Sequence, residues 1–277
     1  MIGKVDLVMW AKNGENVLPT VLKRIDEVIP HEVVCHKILV DDHSTDRTTE
    51  IAKEFNWNVY PNPKTGIPSG ANEALKHVDQ DFFISVEQDV VLAKDWWEKI
   101  PPHMNDNKVA VAQGIRMSTE PTLRKLDEYV YSRLKSNVDP IRFGVSMDNN
   151  IFKTKIIKQL GGFPSDCLVC TDTILMKKII YETPYKWVID VNVVSDHIRQ
   201  SIKTHIKHKY TLTKLCANSH YCVNEAGPLL TNLKLFLTSP IRASIIAYKK
   251  RCPQILYVYP AIRYEKLKAC IEAKLKL

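Results

Sequence analysis

Residues 38–46 of this 277-residue chain read Ile-Leu-Val-Asp-Asp-His-Ser-Thr-Asp. The apolar run at the start is typical of a buried strand, and the pattern over residues 48–55 is typical of a helix. The polar residues between them therefore form a turn that joins a strand to a helix. In open α/β sheets such turns lie at the carboxyl ends of parallel strands, where the ligand-binding crevice is found.

This turn contains more acids than helix capping requires. Asp46 or Ser44 can cap the helix alone, because one side-chain oxygen satisfies one of the unpaired N–H groups of the first turn. Asp41 and Asp42 are then left over at the strand end. Their carboxylates accept hydrogen bonds, and a nucleobase N–H and ribose hydroxyls are donors. We therefore predict that Asp41 and Asp42 bind a nucleotide.

A second acidic strand end follows further along the chain. Residues 82–86 form another apolar, β-branched run, and Glu87-Gln88-Asp89 come directly after it. Acids at alternate positions of an extended segment project to the same side. Two carboxylates placed in this way offer hard oxygen ligands to a divalent cation such as Mn²⁺ or Mg²⁺. We therefore predict that Glu87 and Asp89 bind a metal ion.

Strand patterns alternate with helical patterns over most of the chain. The expected strands lie near residues 4–10, 37–41, 57–60, 82–86, 108–114 and 187–194. The expected helices lie near residues 15–28, 46–55, 68–78, 95–104, 121–137 and 172–181. This alternation predicts an α/β fold with a mostly parallel central sheet flanked by helices. We expect one boundary, with a catalytic domain over residues 1–200 and a C-terminal basic helical appendage over residues 201–277.

The composition is that of an ordered globular protein, with 45% hydrophobic residues. Lys4 and Asp6 interrupt the apolar start, so no signal peptide is expected. No apolar run reaches the length of about 18 residues that a membrane-spanning helix needs. Seven cysteines without a secretory signal favour a reducing cytoplasm. Cys167-x-x-Cys170 lacks a second dyad at zinc-site spacing, so we expect free cysteines rather than a zinc site.

Positive charge is concentrated at the end of the chain. Residues 1–197 carry 24 Lys and Arg against 28 Asp and Glu, whereas residues 198–277 carry 15 against 3, a net charge of +12. A basic region attached to a mildly acidic one indicates an anionic partner. A membrane surface, a nucleic acid and an anionic acceptor all meet this description.

Within the basic region, apolar residues recur at helical spacing. They are Leu230, Leu233, Leu237, Ile241, Ile245 and Tyr248. Ser239-Pro240 predicts the start of a second helix inside this run, and Lys249-Lys250-Arg251 predict its cationic end. Apolar and aromatic residues beside Lys and Arg are typical of an amphipathic anchor at a membrane surface. A packed helical subdomain with a solvated basic face is the alternative.

Taken together, these motifs resemble the family 2 glycosyltransferases of the GT-A fold. That family has a strand with an Asn-Glu turn, a Val-Asp-Asp-x-Ser-x-Asp segment, a Gly/Asn segment, a DxD, a Gly-Gly-Phe and a Thr-Glu-Asp-type motif. The matching residues here are Val5–Val8 with Asn13-Gly14-Glu15, Val40–Asp46, Gly66–Leu75, Glu87–Asp89, Gly161–Phe163 and Cys170–Asp172. The resemblance covers residues 4–200 and rests on the order and spacing of the motifs.

The resemblance implies a binding site for the donor nucleotide. Its expected members are Ala11, Asn13, Glu15, Asp41, Asp42, Lys64 and Gln88. Asp42 is the expected contact to the base or ribose, with Asp41 as its neighbour. Lys64 is expected at the phosphates, and a solvated loop lysine is the alternative.

The resemblance also implies a metal site and a general base. Asp89 matches the family's metal-ligating Asp, and Glu87 replaces the usual first Asp with a side chain one methylene longer. His197 follows the last expected strand, where many of these enzymes place a histidine that completes the metal site. A structural role for His197, or ligation by the adjacent Asp196, is the alternative. Asp172 matches the base that takes the proton of the acceptor hydroxyl, while helix capping is its alternative role. The acid that precedes this base in the family is Thr171 here.

The implied function is inverting transfer of a sugar from a nucleotide-diphosphate donor to a hydroxyl of a glycan or lipid-linked glycan, with Mn²⁺ or Mg²⁺. The basic region implies a peripheral position on the anionic cytoplasmic face of a membrane. A polyprenyl-phosphate sugar synthase is an alternative, and its ionised phosphate acceptor would not need Asp172. A nucleic-acid-binding module is the alternative of another class, but the expected aromatic interleaving is absent and no nucleic acid is expected. The sequence argues against a dinucleotide-binding enzyme, because Lys12-Asn13-Gly14-Glu15 has one glycine where G-x-G-x-x-G is needed.

Overall fold

The computed structural model of the protein describes residues 2–132, 145–166, 169–199, 201–217 and 229–275. Strands and helices alternate over most of these residues. The strands are β1 Val5–Ala11, β2 Val34–Asp41, β3 Asn58–Pro61, β4 Phe82–Ser85, β5 Val90–Val91, β6 Val109–Ser118, β7 Asn150–Lys153 and β8 Lys186–His197. The helices are α1 Leu18–Val28, α2 Thr48–Glu54, α3 Ile67–Lys76, α4 Trp96–Lys99, α5 Pro121–Tyr131, α6 Thr154–Gln159, α7 Thr171–Glu182, α8 Ile202–Ala217, α9 Leu229–Leu237, α10 Ser239–Lys250 and α11 Ile255–Leu275.

The strands form one sheet in the order β3-β2-β1-β4-β7-β6-β8-β5. The pairs β2–β3, β1–β2 and β1–β4 are parallel, whereas β7 runs antiparallel to both β4 and β6. The short β5 is antiparallel to β8 at the far edge. The predicted α/β fold and the helices that follow it in the C-terminal region are confirmed.

The central strand β1 explains why the sheet forms where the sequence indicated. All seven of its residues are buried, as expected for a strand of a parallel sheet that is covered on both faces. Asp6 is the charged exception, and its carboxylate accepts hydrogen bonds from the N–H groups of His36 at 3.2 Å, Asp79 at 2.9 Å and Gln80 at 3.1 Å. These bonds fix the amino ends of β1, β2 and β4 against one another.

Two helices differ from the predicted bounds. The helix expected near residues 95–104 is a short helix, α4, followed by a 3₁₀ turn over Pro101–Asn105. Pro101 and Pro102 carry no N–H for a continued α-helical ladder, which accounts for the change. The helix expected over residues 121–137 is present as α5, and the predicted residues beyond 132 lie outside the described residues.

The chain divides into two compact units. The first comprises residues 1–116, 134–165 and 171–198, and the second comprises residues 117–133, 166–170 and 199–277. The sheet belongs mainly to the first unit, and α5 and α8 to α11 belong to the second. The boundary near residue 200 stays a prediction, and two earlier segments join the C-terminal helices in the second unit.

In the second unit, α10 packs its small and aliphatic residues against its neighbours. Ala243, Ile246 and Ala247 are buried together with Ile255, and Tyr129 of α5 packs against this cluster. The helices α8 and α11 are tied by Glu272, whose carboxylate accepts from Lys214 at 2.8 Å and from the hydroxyl of Tyr210. None of the described helices is long and apolar enough to cross a membrane.

The expectation of free cysteines fails at one position. Cys170 is disulfide-bonded, but not to Cys216, whose Sγ lies 3.4 Å away in a hydrogen-bond contact. Cys167 lies outside the described residues. The spacing of cysteines in sequence gave no basis for this result, because pairing depends on how the chain brings them together.

Candidate active site

The predicted site residues of the first unit lie at the carboxyl ends of the parallel strands, which we call the carboxyl edge of the sheet. The parallel strands β1, β2, β3 and β4 all end at this edge, and β6 ends there as well because it runs in the direction of β4. The loops that follow these strands therefore face a shared crevice, as expected for an open α/β sheet.

The loops after β1 and β2 are joined by reciprocal hydrogen bonds. The Asn13 N–H donates to Ser44 Oγ at 2.9 Å, and Asn13 Oδ1 accepts from the Thr45 N–H at 2.9 Å. Glu15 Oε2 accepts from the Arg47 N–H at 3.1 Å. The side chains of Asn13 and Glu15 are thus used to hold the two loops together.

Asp42 is held firmly in this crevice. Its backbone N–H donates to the Ala11 carbonyl at 2.8 Å, so Ala11 contributes through its backbone. Its carboxylate accepts from Asn62 Nδ2 at 2.8 Å and the Gly66 N–H at 3.2 Å, and it pairs with Lys12 Nζ at 3.4 Å. Gly66 has a φ of +87°, a conformation that favours glycine, and it starts α3.

Asp41 and Lys64 are placed differently from Asp42. Asp41 Oδ2 accepts from the Ser44 N–H at 3.1 Å, whereas its Oδ1 is buried and has no hydrogen-bond partner in the described part of the chain. A buried acceptor without a donor is uncommon and is costly. Lys64 is exposed, and its carbonyl lies 2.9 Å from His43 Nε2, which folds the loop after β3 towards the loop after β2.

Gln88 joins the loop after β4 to the loop after β1. Its Oε1 accepts from the Lys12 N–H at 2.8 Å, and its Nε2 donates to the Lys12 carbonyl at 3.1 Å. The side-chain amide therefore pairs with one residue of backbone as a neighbouring strand would. We call this pair of hydrogen bonds the Gln88 latch.

Two of the predicted metal ligands are brought together. Asp89 Oδ2 lies 3.0 Å from His197 Nε2, although the residues are 108 positions apart in sequence. The pairing of β5 with β8 explains the contact, because Val90 lies opposite His197 and the Ile198 N–H donates to the Asp89 carbonyl at 2.8 Å. A carboxylate oxygen and an imidazole nitrogen are suitable ligands for a Mn²⁺-like cation, so this donor set fits the predicted metal.

Glu87 faces an arginine that was not among the predicted site residues. Its Oε2 lies 3.5 Å from Arg116 NH1, and the same guanidinium contacts Asp148 Oδ2. Asp148 is only 1% exposed, and its Oδ1 accepts from Ser146 Oγ at 3.0 Å. A buried carboxylate of this kind is stable only when a cation or hydrogen bonds compensate it. Arg116 therefore positions Glu87 and neutralises Asp148.

Asp172 lies in the first turn of α7, as predicted. Burial raises the pKa of Asp172 to about 6, against a hydrogen bond from the Thr173 N–H and the positive charge of Arg116, which lower it, while Glu87 raises it further. The hydrogen bond from Thr173 to Oδ1 is 2.6 Å long. A carboxylate with such a pKa is ionised at neutral pH and still basic enough to accept a proton.

Arg116, Asp148 and Asn62 are the site residues that were missed. Arg116 follows the apolar run of β6, Asp148 precedes β7 and Asn62 follows β3. The rule used for Asp41 and Glu87, that polar residues at strand ends face the crevice, would have included Arg116 and Asn62. Asp148 required the topology, because it lies at this edge only since β7 is antiparallel to β4.

A second group, of two acids and a histidine, lies at the amino ends of the parallel strands, opposite the carboxyl edge. Asp6, His36 and Asp79 have ligand-type atoms within 4.8 Å of one another, and His36 Nδ1 is 2.9 Å from Asp6 Oδ1. Each oxygen of Asp6 is already occupied by protein donors, as described above. This group is therefore an anchor of the strand ends rather than a part of the crevice.

Comparison with known proteins identifies the class. Residues 6–182 match the model of the glycosyl transferase family 2, which is more than half of the chain. The chain belongs to this family and is a glycosyltransferase by membership. Among curated protein sequences, none matches the chain.

Solved structures share the fold. A mannosyltransferase from Pyrobaculum calidifontis, solved with GDP-Man and Mn²⁺, has a TM-score of 0.69 at 17% identity, over 100% of this chain and 88% of that one. TarS residues 1–349 from S. aureus, solved with UDP, give 0.58 at 14% identity over 99% and 92%. Glucosyl-3-phosphoglycerate synthase from Mycobacterium tuberculosis, solved with Mn²⁺, UDP and glucosyl-3-phosphoglycerate, gives a TM-score of 0.53 at 14% identity over 78% of each chain.

Proposed function

We propose that this protein is a metal-dependent inverting glycosyltransferase that moves a sugar from a nucleoside-diphosphate donor to an acceptor hydroxyl. The observation that carries the proposal is the meeting of Asp89 with His197 at the edge of the sheet that also holds Asp41, Asp42 and Arg116. A nucleotide site, a cation site and a base are then all contributed by the first unit. Three structures of the same fold were solved with nucleotides or a nucleotide sugar, which agrees with this class of donor.

The donor nucleotide would lie over the loops after β1, β2 and β3. Asp41 is the stronger candidate for direct contact, because its Oδ1 lacks a donor, whereas the carboxylate of Asp42 already has three partners. Lys12 Nζ is exposed beside Asp42 and is able to approach a phosphate. Lys64 lies on the neighbouring loop and remains a second candidate for that contact.

Asp89 and His197 would hold Mn²⁺ or Mg²⁺, with Glu87 held nearby by Arg116. A divalent cation at this place supplies charge stabilisation for the leaving diphosphate. The protein's own contribution is to bring the two ligands together through the β5–β8 pairing. Arg116 adds a fixed positive charge to the same edge.

Asp172 would act as the base. It accepts the proton of the acceptor hydroxyl while that oxygen forms a bond to the anomeric carbon and the bond to the nucleoside diphosphate breaks. The displacement inverts the anomeric configuration. A pKa of about 6 leaves Asp172 mostly ionised at neutral pH.

A polyprenyl-phosphate acceptor is the second candidate, and the exposed apolar surface of the second unit favours a lipid-linked substrate of some kind. The two acceptors make opposite demands on Asp172. An acceptor hydroxyl must lose its proton, whereas a phosphate is already ionised near neutral pH. Full activity in Asp172→Asn would therefore identify a phosphate acceptor.

The test is a thermal-shift screen of UDP-, GDP- and dTDP-sugars with and without Mn²⁺, on the wild type and Asp89→Ala. A ligand that binds only the native state raises the melting temperature by mass action. We expect a Mn²⁺-dependent rise with one nucleotide that Asp89→Ala loses. Asp81→Ala is the matched control, because Asp81 is exposed just before β4, at the opposite edge of the sheet. No rise with any donor would contradict the proposal.

We also propose a peripheral position at the cytoplasmic face of a membrane, supported by the net charge of +12 over residues 198–277. Nucleic acid is not the expected partner of this charge. Retention of the protein on DNA with a steep dependence on salt, together with no binding of any sugar nucleotide, would favour a nucleic-acid-binding module instead.

A further inference from the structure

The helices α9 and α10 expose six large apolar side chains, which we call the apolar stripe. Its members are Leu230, Leu233, Leu237, Ile241, Ile245 and Tyr248. Leu230 is 77% exposed, Ile241 68% and Tyr248 87%. Single exposed apolar residues are ordinary on a protein surface, but a contiguous group of this size marks an interaction site.

The stripe extends over both helices, which meet at Thr238. Only Thr238 separates α9 from α10, and its N–H donates to the Lys234 carbonyl at 3.0 Å. The Thr238 carbonyl accepts from the Arg242 N–H at 3.1 Å. Thr238 therefore ends α9 and begins α10. On an ideal helical wheel of 3.6 residues per turn, carried from residue 230 to residue 248, the six side chains lie within about 60° of one direction. We call α9 and α10 together the rod.

The opposite side of the rod is already packed. Ser239, Ala243 and Ile246 are buried, and on the same helical wheel they project away from the stripe. Asn232 of α9 is buried on that side as well, with its Nδ2 3.4 Å from Cys270 Sγ of α11. The stripe is thus a second apolar face, which the described residues of the second unit leave uncovered.

The charges along the rod have one sign. Residues 229–264 contain no Asp or Glu, and Lys234, Arg242 and Lys249 are exposed on α9 and α10. A cleft of about 890 Å³ at the end of α10 is lined by Tyr248, Lys249, Arg251 and Leu256, among others. An apolar stripe flanked by cations and ending at a cationic cleft is complementary to acyl chains below a layer of phosphates.

We propose that the apolar stripe is the surface by which this protein lies on an anionic phospholipid membrane, an inference that rests on the membrane-face position proposed above. The rod lies parallel to the membrane, with the stripe among the acyl chains and its cations at the phosphates. A second copy of the chain is a poor occupant, because pairing two such rods would place cations against cations without a single carboxylate on either rod. The absence of carboxylates suits a polyanionic surface.

The test measures co-sedimentation of the full chain with vesicles of pure phosphatidylcholine and of an equimolar mixture with phosphatidylglycerol. We expect binding to the mixed vesicles that weakens as salt is raised, since the attraction of surface cations is screened. Leu237→Glu/Ile241→Glu is expected to abolish it, and Lys249→Gln to weaken it about fivefold. Val130→Glu is the matched control, because Val130 is 53% exposed on α5 of the same unit but outside the stripe.

Equal binding by wild type and Leu237→Glu/Ile241→Glu, or no binding by the wild type, would overturn the proposal. The proposal would also be overturned if light scattering showed that the wild type is a dimer and the stripe variant a monomer, and neither protein bound vesicles. Leu237→Gln/Ile241→Gln provides an uncharged version, and melting temperatures verify that each variant folds. Donor-induced thermal shifts on the same samples report separately on the glycosyltransferase proposal, so that either proposal fails without the other.

Discussion

Asp172 combines two properties that favour a general base over a helix cap. A cap needs only a side-chain oxygen near the first N–H groups, and the bond to the Thr173 N–H meets that need. Capping does not require burial, which is the main cause that raises the pKa of Asp172 to about 6. Ionisable groups in a crevice whose pKa is displaced by burial and by specific charges are typical of functional sites.

We predict that Asp172→Asn lowers kcat by about 10²- to 10⁴-fold, the usual contribution of a general base. The change keeps the shape and the hydrogen bond to Thr173 but removes the proton acceptor. In the wild type, kcat/KM should rise with pH through about 6, as the carboxyl group loses its proton. Steady-state rates measured over this range on the wild type, Asp172→Asn and Asp81→Asn check the prediction.

The variant Arg116→Gln tests whether the charge of Arg116 lowers the pKa of Asp172. Arg116 lowers the pKa of Asp172, so its removal should move the rise in kcat/KM to higher pH. It would also leave Asp148 buried without its cation, and Asp148→Asn added to Arg116→Gln should restore folding stability. A pH profile that stays in place in the folded double variant would show that Arg116 does not act on Asp172.

At the scale of elements, the strand ends depend on contacts between loops that are distant in sequence. The Gln88 latch joins the loop after β4 to the loop after β1 through Lys12. Gly14 allows this approach, because a Cβ at position 14 would lie 2.8 Å from Gln88 Oε1. The amide end of Gln88 would have to move away, and the latch would be lost.

We predict that Gly14→Ala and Gln88→Ala each weaken donor binding by about tenfold, and that the double variant is no weaker than either. Each single change removes the same two hydrogen bonds, which are worth about 1 kcal/mol apiece. Changes that act through one shared contact are not additive. Titration calorimetry with the donor identified by thermal shift measures the cycle, and additive losses would show that the two residues act separately.

The elements were predictable from the sequence because hydrophobic periodicity and strand-end acids are local signals. Asp89 needed only its position after a strand, whereas the role of Asp172 came from the resemblance to the family's Thr-Glu-Asp-type motif. The partners of Asp42 were not predictable, because Asn62 and Gly66 reach it only once β3 lies beside β2. The packing of α5 into the second unit was missed for the same reason, since periodicity shows that a face is apolar but not what covers it.

At the scale of the whole molecule, the buried charge of Asp172 lowers the free energy of unfolding at neutral pH. Asp172 has a pKa of about 6 in the folded protein against an ordinary value of 3.8, so the native state binds a proton more tightly than the unfolded chain does. The stabilisation of the fold by protonation of Asp172 is therefore complete below pH 3.8, the ordinary pKa. It is lost as the pH rises through about 6, the pKa in the folded protein.

We predict that Asp172→Asn becomes more stable relative to the wild type as pH rises from about 4 to 7, where only the wild type carries the buried charge. The gain at neutral pH should be at most about 3 kcal/mol, reduced by the solvent that still reaches the carboxylate. Chemical denaturation at a series of pH values, followed by tryptophan fluorescence, gives the difference between the two free energies of unfolding. The other titrating groups are common to both proteins, so their effects largely cancel in this difference. A difference that does not change with pH would mean that Asp172 is solvated like a surface acid, and its assignment as a base of raised pKa would fail.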